Sequence, residues 1–132
     1  MSIGLLIITH DKIGDALLVT ASRMLGTCPL ESKTLEVNNS SNPDEVNQQA
    51  RKLVEQLDQG DGVLVLTDMY GSTPSNIAAR LLHKGKVNVV AGINLPMLVR
   101  VLNYAELNLD ELTLKAVSGG NDGIVRCMPG AH

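Results

Sequence analysis

Three short, almost unbroken apolar runs punctuate the chain: Ile3 to Thr9, Gly62 to Thr67 ("GVLVLT") and Val87 to Ile93 ("VNVVAGI"). Their Val, Ile and Leu content, with little polar alternation, predicts strands covered on both faces of a parallel sheet. Thr34 to Val37 alternates more and fits an edge strand. Between these runs the apolar period lengthens to that of helices. "NPDEVNQQARKLVEQLDQG" aligns Val46, Ala50, Leu53, Val54 and Leu57 on one stripe, with Asn42 as cap, Pro43 at the first helical position and Gly60 as the stop. Ile13, Leu17, Ala21, Met24 and Leu25 make a second stripe ending at Gly26, and Ile77, Leu81 and Leu82 a third that begins at Pro74. A fourth helix is expected after Pro96, and a fifth near Asn108, where Glu111 stands at capping-box spacing.

This alternation predicts an α/β fold: a single doubly wound domain over residues 1–132, with a mainly parallel sheet of about four strands. The tail "GIVRCM" is a candidate for a last strand, on its own sheet or on a partner's. Ligands of such folds meet the protein at the carboxyl ends of the strands, near a topological switch point. "THD", "TDMYGSTPSN" and "GINLPML" are therefore the segments to search.

His10 ends the first apolar run, where a polar residue that merely leaves a strand is commonplace. Asp68 occupies the equivalent place after the third strand, and the first and third strands of such sheets are commonly neighbours. A carboxylate beside an imidazole accepts a hydrogen bond from Nδ1–H and leaves Nε2 with an outward lone pair, able to act as a nucleophile. In "GSTPSN", Thr73 reads as the N-cap of the third helix, and Gly71, Ser72 and Thr73 offer backbone N–H groups and hydroxyls to an anion, above all a phosphoryl group. Thr9 and Asp11 read as turn and capping residues, and Met97 and Leu98 as wall and docking surface or as core. His83, at the end of the third helical pattern, and the terminal His132 read as structural. An imidazole nucleophile, an orienting carboxylate and an anion-receptive helix start together describe transient attachment of a phosphoryl group to histidine.

Length and composition narrow the field around that chemistry. The chain of 132 residues suits one core, and a net charge of -3 with scattered Lys and Arg gives no footprint for nucleic acid or an anionic membrane. Two Tyr with no Trp or Phe leave no stacking platform for bases or sugars. Cys28 and Cys127 stand far apart without metal-ligand spacing, so both are expected as reduced thiols of a cytoplasmic protein. The apolar start is too short to span a bilayer and carries no export signature. No Gly-rich nucleotide loop follows a strand, and His10 with Asp68 lacks a third metal ligand at suitable spacing, which disfavours a metal-dependent hydrolase. No cofactor is implied.

The blocks "IGLLIITHDKIGDAL", "GVLVLTDMYGSTPSNIAARL" and "VNVVAGINLPMLVRVL" together resemble the IIA component of the mannose-type branch of the bacterial phosphoenolpyruvate-dependent sugar phosphotransferase system, over nearly the whole chain. The resemblance implies a phosphotransferase component that accepts a phosphoryl group on His10 from the carrier HPr and passes it to a IIB component, expected on a separate polypeptide. It also implies that Asp68 orients His10, that Thr73 is the hydroxyl residue before the proline, and that the chain forms a homodimer by exchanging a C-terminal strand, here "GIVRCM". Family members usually carry two glycines before the Ser/Thr-Pro, whereas this chain reads Gly71-Ser72, which would strain Ser72 if that position requires positive φ. Alternative readings of the same site are a regulatory module whose phosphorylation controls docking to another protein, and the phosphocarrier subunit of dihydroxyacetone kinase.

Overall fold

A computed structural model describes residues 2–130, so His132 lies outside the described residues. Strands β1 (Gly4–His10), β2 (Ser32–Val37), β3 (Val63–Thr67) and β4 (Val87–Ala91) alternate with helices α1 (Ile13–Leu25), α2 (Pro43–Leu57), α3 (Thr73–Ala79), α4 (Leu95–Asn103) and α5 (Leu109–Asp122). All strand pairs are parallel, in the order β2-β1-β3-β4. The chain thus leaves β1 in one direction to form β2 and returns to its other side to form β3, so the switch point falls between β1 and β3.

The unbroken apolar strands reflect two cores, one on each face of the sheet. Leu5, Ile7, Leu64 and Leu66 pack with Ala21 of α1, Leu98 and Val101 of α4, and Leu112 and Ala116 of α5. Leu6, Ile8, Val63 and Val65 turn the other way, onto Val46, Ala50 and Leu57 of α2 and Ile77 and Ala78 of α3. Successive strand residues point to opposite faces, so a strand covered on both sides must be apolar throughout, and β3 is buried at every position. The α2 stripe lies wholly in the second core. In α1, by contrast, Ile13 and Met24 are exposed.

Several helix ends differ from their sequence expectations. Asn42 caps α2 and Asn108 forms the expected capping box at α5, but α2 stops at Asp58 instead of Gly60. Asp58 Oδ1 takes hydrogen bonds from the N–H groups of Gly60 and Gly62 and folds the turn that follows. The third helix begins one residue before Pro74 and stops at Ala79, leaving Leu81 buried in the following turn and Leu82 exposed. β4 ends at Ala91 because the N–H groups of Gly92 and Ile93 both turn to the Thr67 carbonyl, with Gly92 at φ 94°. Asn94 then caps α4, its Oδ1 accepting from Met97 N while its Nδ2 donates to the Gly120 carbonyl of α5.

The tail adds no strand to this sheet. Residues 124–128 run beyond α5 without regular structure, and Ile124, Val125 and Met128 are 77%, 71% and 52% exposed. Met97 and Leu98 belong to the first core, at 3% and 0% exposure, so the reading of them as a docking surface is corrected.

Candidate functional site

The carboxyl end of β1 is shaped by the residues around His10. Thr9 is buried, and its Oγ1 accepts a hydrogen bond of 2.8 Å from Gly14 N, which ties the strand end to the first turn of α1. Asp11 has a left-handed backbone, φ 46°, a conformation that Asp tolerates better than most residues. Its N–H donates to Val37 O at 2.9 Å, extending the β1–β2 ladder one residue past the strand. The chain therefore turns sharply immediately after His10.

β3 ends beside it, and Asp68 closes the gap. Asp68 Oδ2 accepts from the His10 backbone N–H at 2.9 Å and lies 2.8 Å from His10 Nδ1, while Oδ1 accepts from Met69 N at 2.9 Å. The carboxyl side chain is 13% exposed and the imidazole 41%. Burial pushes the Asp68 carboxyl up, but the His10 backbone N–H, the His10 imidazole and the Met69 N–H outweigh it and hold the group below its ordinary value of 3.8. An ionised Asp68 accepts a hydrogen bond from Nδ1–H, so Nε2 is the nitrogen left without a partner.

An open pocket of about 640 Å³ lies next to this pair, lined by His10, Asp11, Thr73 and the Asn38–Ser41 segment, among others. Thr73 is exposed at the first position of α3. It is not the N-cap: Ser72 holds that place, and its Oγ donates backward to the Met69 carbonyl at 2.5 Å. Ser72 sits at φ -87°, an ordinary backbone, and the left-handed residue of the turn is Gly71 at φ 84°, so one glycine meets the conformational demand. Gly71 and Ser72 do not line the pocket. Their N–H groups are engaged with Ser75 Oγ at 3.3 Å and Met69 O at 3.2 Å. His83 is exposed and bridges Val87 in the turn before β4, remote in topology from the β1 end. Among the described residues no group of three His, Cys, Asp or Glu side chains is placed to hold a metal ion.

The family model described as "PTS system fructose IIA component" (EIIA-man) matches residues 4–117. The chain belongs to the EIIA-man family. The mannose-specific EIIAB component of the phosphotransferase system (PTS) of Escherichia coli (strain K12) is 32% identical to this IIA chain over 130 residues, covering 94% of the chain and 39% of that protein. The chain thus spans about two fifths of the length of the curated mannose-specific relatives it matches. The fructose-specific EIIA component of Bacillus subtilis (strain 168) is 43% identical over 60 residues, 42% of this chain and 41% of that protein. Among solved structures, the IIA protein associated with the fucose utilization operon of Streptococcus pneumoniae superposes with a TM-score of 0.74 at 30% identity, covering 89% of this chain and 93% of that one. The mannose/sorbose-specific IIA subunit of Enterococcus faecalis shares the fold, with a TM-score of 0.85 at 20% identity and full coverage of both chains.

The Asn38–Ser41 segment carries no motif of its own in the sequence of this IIA chain. Its signal is topological: a strand paired with β1 must end at the same sheet end as His10, and Val37 is the register partner of His10.

Proposed function

We propose that this IIA domain is a phosphohistidine carrier of the sugar phosphotransferase system, taking a phosphoryl group from phospho-HPr onto Nε2 of His10 and passing it to a IIB component. The observation that carries the reading is the 2.8 Å contact between Asp68 Oδ2 and His10 Nδ1, supported by family membership. In the first step the Nε2 lone pair attacks phosphorus and a new N–P bond forms. The donor's own N–P bond breaks, and its electron pair returns to the donor imidazole. The Nδ1 proton stays on His10, and the Asp68 carboxylate offsets the positive charge that the ring acquires. The second transfer runs the same exchange toward the acceptor. Thr73, at the pocket wall, is the residue of the "GST" turn assigned to the phosphoryl oxygens, with Gly71 and Ser72 shaping that turn.

The test is incubation with phosphoenolpyruvate, Enzyme I and HPr, followed by intact mass at neutral and acid pH. Wild type is expected to gain one acid-labile phosphoryl group and His10→Ala none. No gain in wild type, or an undiminished gain in the variant, removes the reading. Onward transfer to a IIB component separates a transport role from a purely regulatory one.

A homodimer is part of the same proposal, in a cytoplasmic setting. β4 is an edge strand, and the tail beyond α5 holds Ile124 and Val125 exposed. Pairing of one copy's tail with the other's β4 would satisfy the free edge and cover these side chains. Sedimentation should then find wild type dimeric and an Ile124→Asp, Val125→Asp double variant monomeric; a monomeric wild type refutes the exchange.

A further inference from the structure

We propose that Asn39 and Ser40 donate hydrogen bonds to the phosphoryl group carried on His10, forming the β2-side wall of the pocket; this rests on the carrier reading above. The strand order places β3 on one flank of β1 and β2 on the other. Asp68, after β3, holds His10 through Nδ1, which leaves Nε2 without a partner, and the imidazole lines the open pocket. On the β2 side, Val37 is the register partner of His10, and Asn38 to Ser41 follow directly, lining the same pocket as the imidazole.

The loop is held by its own bonds, and these select which side chains remain available. Asn38 Oδ1 accepts from Ser40 N at 2.9 Å and from Ser41 Oγ at 3.4 Å, and Ser41 Oγ accepts from Asn38 N at 3.0 Å. Ser41 N closes the turn onto the Asn38 carbonyl at 3.0 Å. Ser41 therefore spends its hydroxyl on the turn and Asn38 its side-chain oxygen, while Asn38 Nδ2 makes no hydrogen bond to another described residue. The side chains of Asn39 and Ser40 are exposed and make no hydrogen bond to another described residue, which leaves an amide N–H₂ group and a hydroxyl as donors at the pocket.

Charge makes such neutral donors necessary. No Lys or Arg lines the pocket, and the one carboxylate among its lining residues, Asp11, repels an anion. A phosphoryl group on His10 is stabilised from this chain by amide, hydroxyl and backbone N–H groups alone, so each donor counts.

The experiment loads the full chain with phosphoramidate, a small donor that needs no partner protein, and follows phosphohistidine by intact mass and ³¹P NMR. Asn39→Ala and Ser40→Ala are each expected to slow loading about fivefold, the effect of one neutral hydrogen bond, and the double variant by roughly the product. Asn39→Asp should be slower than Asn39→Ala, with the excess relieved by salt, a response that loss of loop structure would not produce. Unchanged melting temperatures and an unchanged His10 Nδ1 resonance establish that the fold and the Asp68 contact persist. Loading of the double variant within twofold of wild type, or an Asn39→Asp variant no slower than Asn39→Ala, overturns the proposal while the carrier reading stands. Failure of wild type to be labelled on His10 overturns both.

Discussion

Replacing Asp68 with asparagine removes one charge and keeps the shape of the side chain, which isolates the contribution of the carboxylate to His10. The native group accepts three hydrogen bonds, two from His10 and one from Met69. An asparagine can present one oxygen, and its amide N–H₂ must face a donor. A hydrogen bond to an ionised group contributes about 1.5–3 kcal/mol. Because the imidazole is 41% exposed, solvent screens the pair and the lower half of that range applies, about 1.5–2 kcal/mol. If that energy acts in the transition state, where the ring gains positive charge, Asp68→Asn slows phosphorylation of His10 about 10- to 30-fold. The assay is the second-order rate of labelling by phospho-HPr, with ¹⁵N NMR of the imidazole reporting the tautomer. Labelling within twofold of wild type, with Nδ1 still protonated, would refute the claim that the carboxylate both sets the tautomer and stabilises the charged ring.

Other outcomes follow from the same contacts. Because the Asp68 carboxyl titrates below 3.8, its ionised form stabilises the fold above that pH, and the stability gap between wild type and Asp68→Asn should be constant at neutral pH and shrink only as the pH falls below about 3.8; a gap that closes near neutrality would contradict the direction. Thr9→Val removes the acceptor of Gly14 N at a buried position and should cost about 1–3 kcal/mol in denaturant unfolding. Gly123→Ala would bring a Cβ within 2.3 Å of Pro96 Cβ, and the forced separation of α4 from α5 should lower stability by about 1–3 kcal/mol, read as a drop in melting temperature. Ser72→Gly should leave His10 labelling near the wild-type rate, since Ser72 already occupies an ordinary backbone conformation; a large gain in rate would show that the serine strains the turn.

By itself the sequence determined the class of fold and the identity of its elements. Strands covered on both faces have no polar positions to spare, so β1 and β3 stand out as apolar runs, and the Asn42 and Asn108 caps with the α2 stripe mark their helices by local chemistry. The ends of the first and third apolar runs put forward His10 and Asp68 as residues to pair, and the family blocks carry the same two. Contacts between segments distant in the chain were left to the tertiary structure. Only the order β2-β1-β3-β4 sets Asp68 against His10 and brings the Asn38–Ser41 loop to the other flank, because sheet register, and not local propensity, decides which strand ends share an edge. The structure likewise decides that Ser72 and not Thr73 stands at the N-cap of α3, and that Met97 and Leu98 are buried where α4 packs over the sheet. The apolar tail looks like a strand from its residues, but a strand needs a neighbour to complete its hydrogen bonds, and within one copy of the chain residues 124–128 have none.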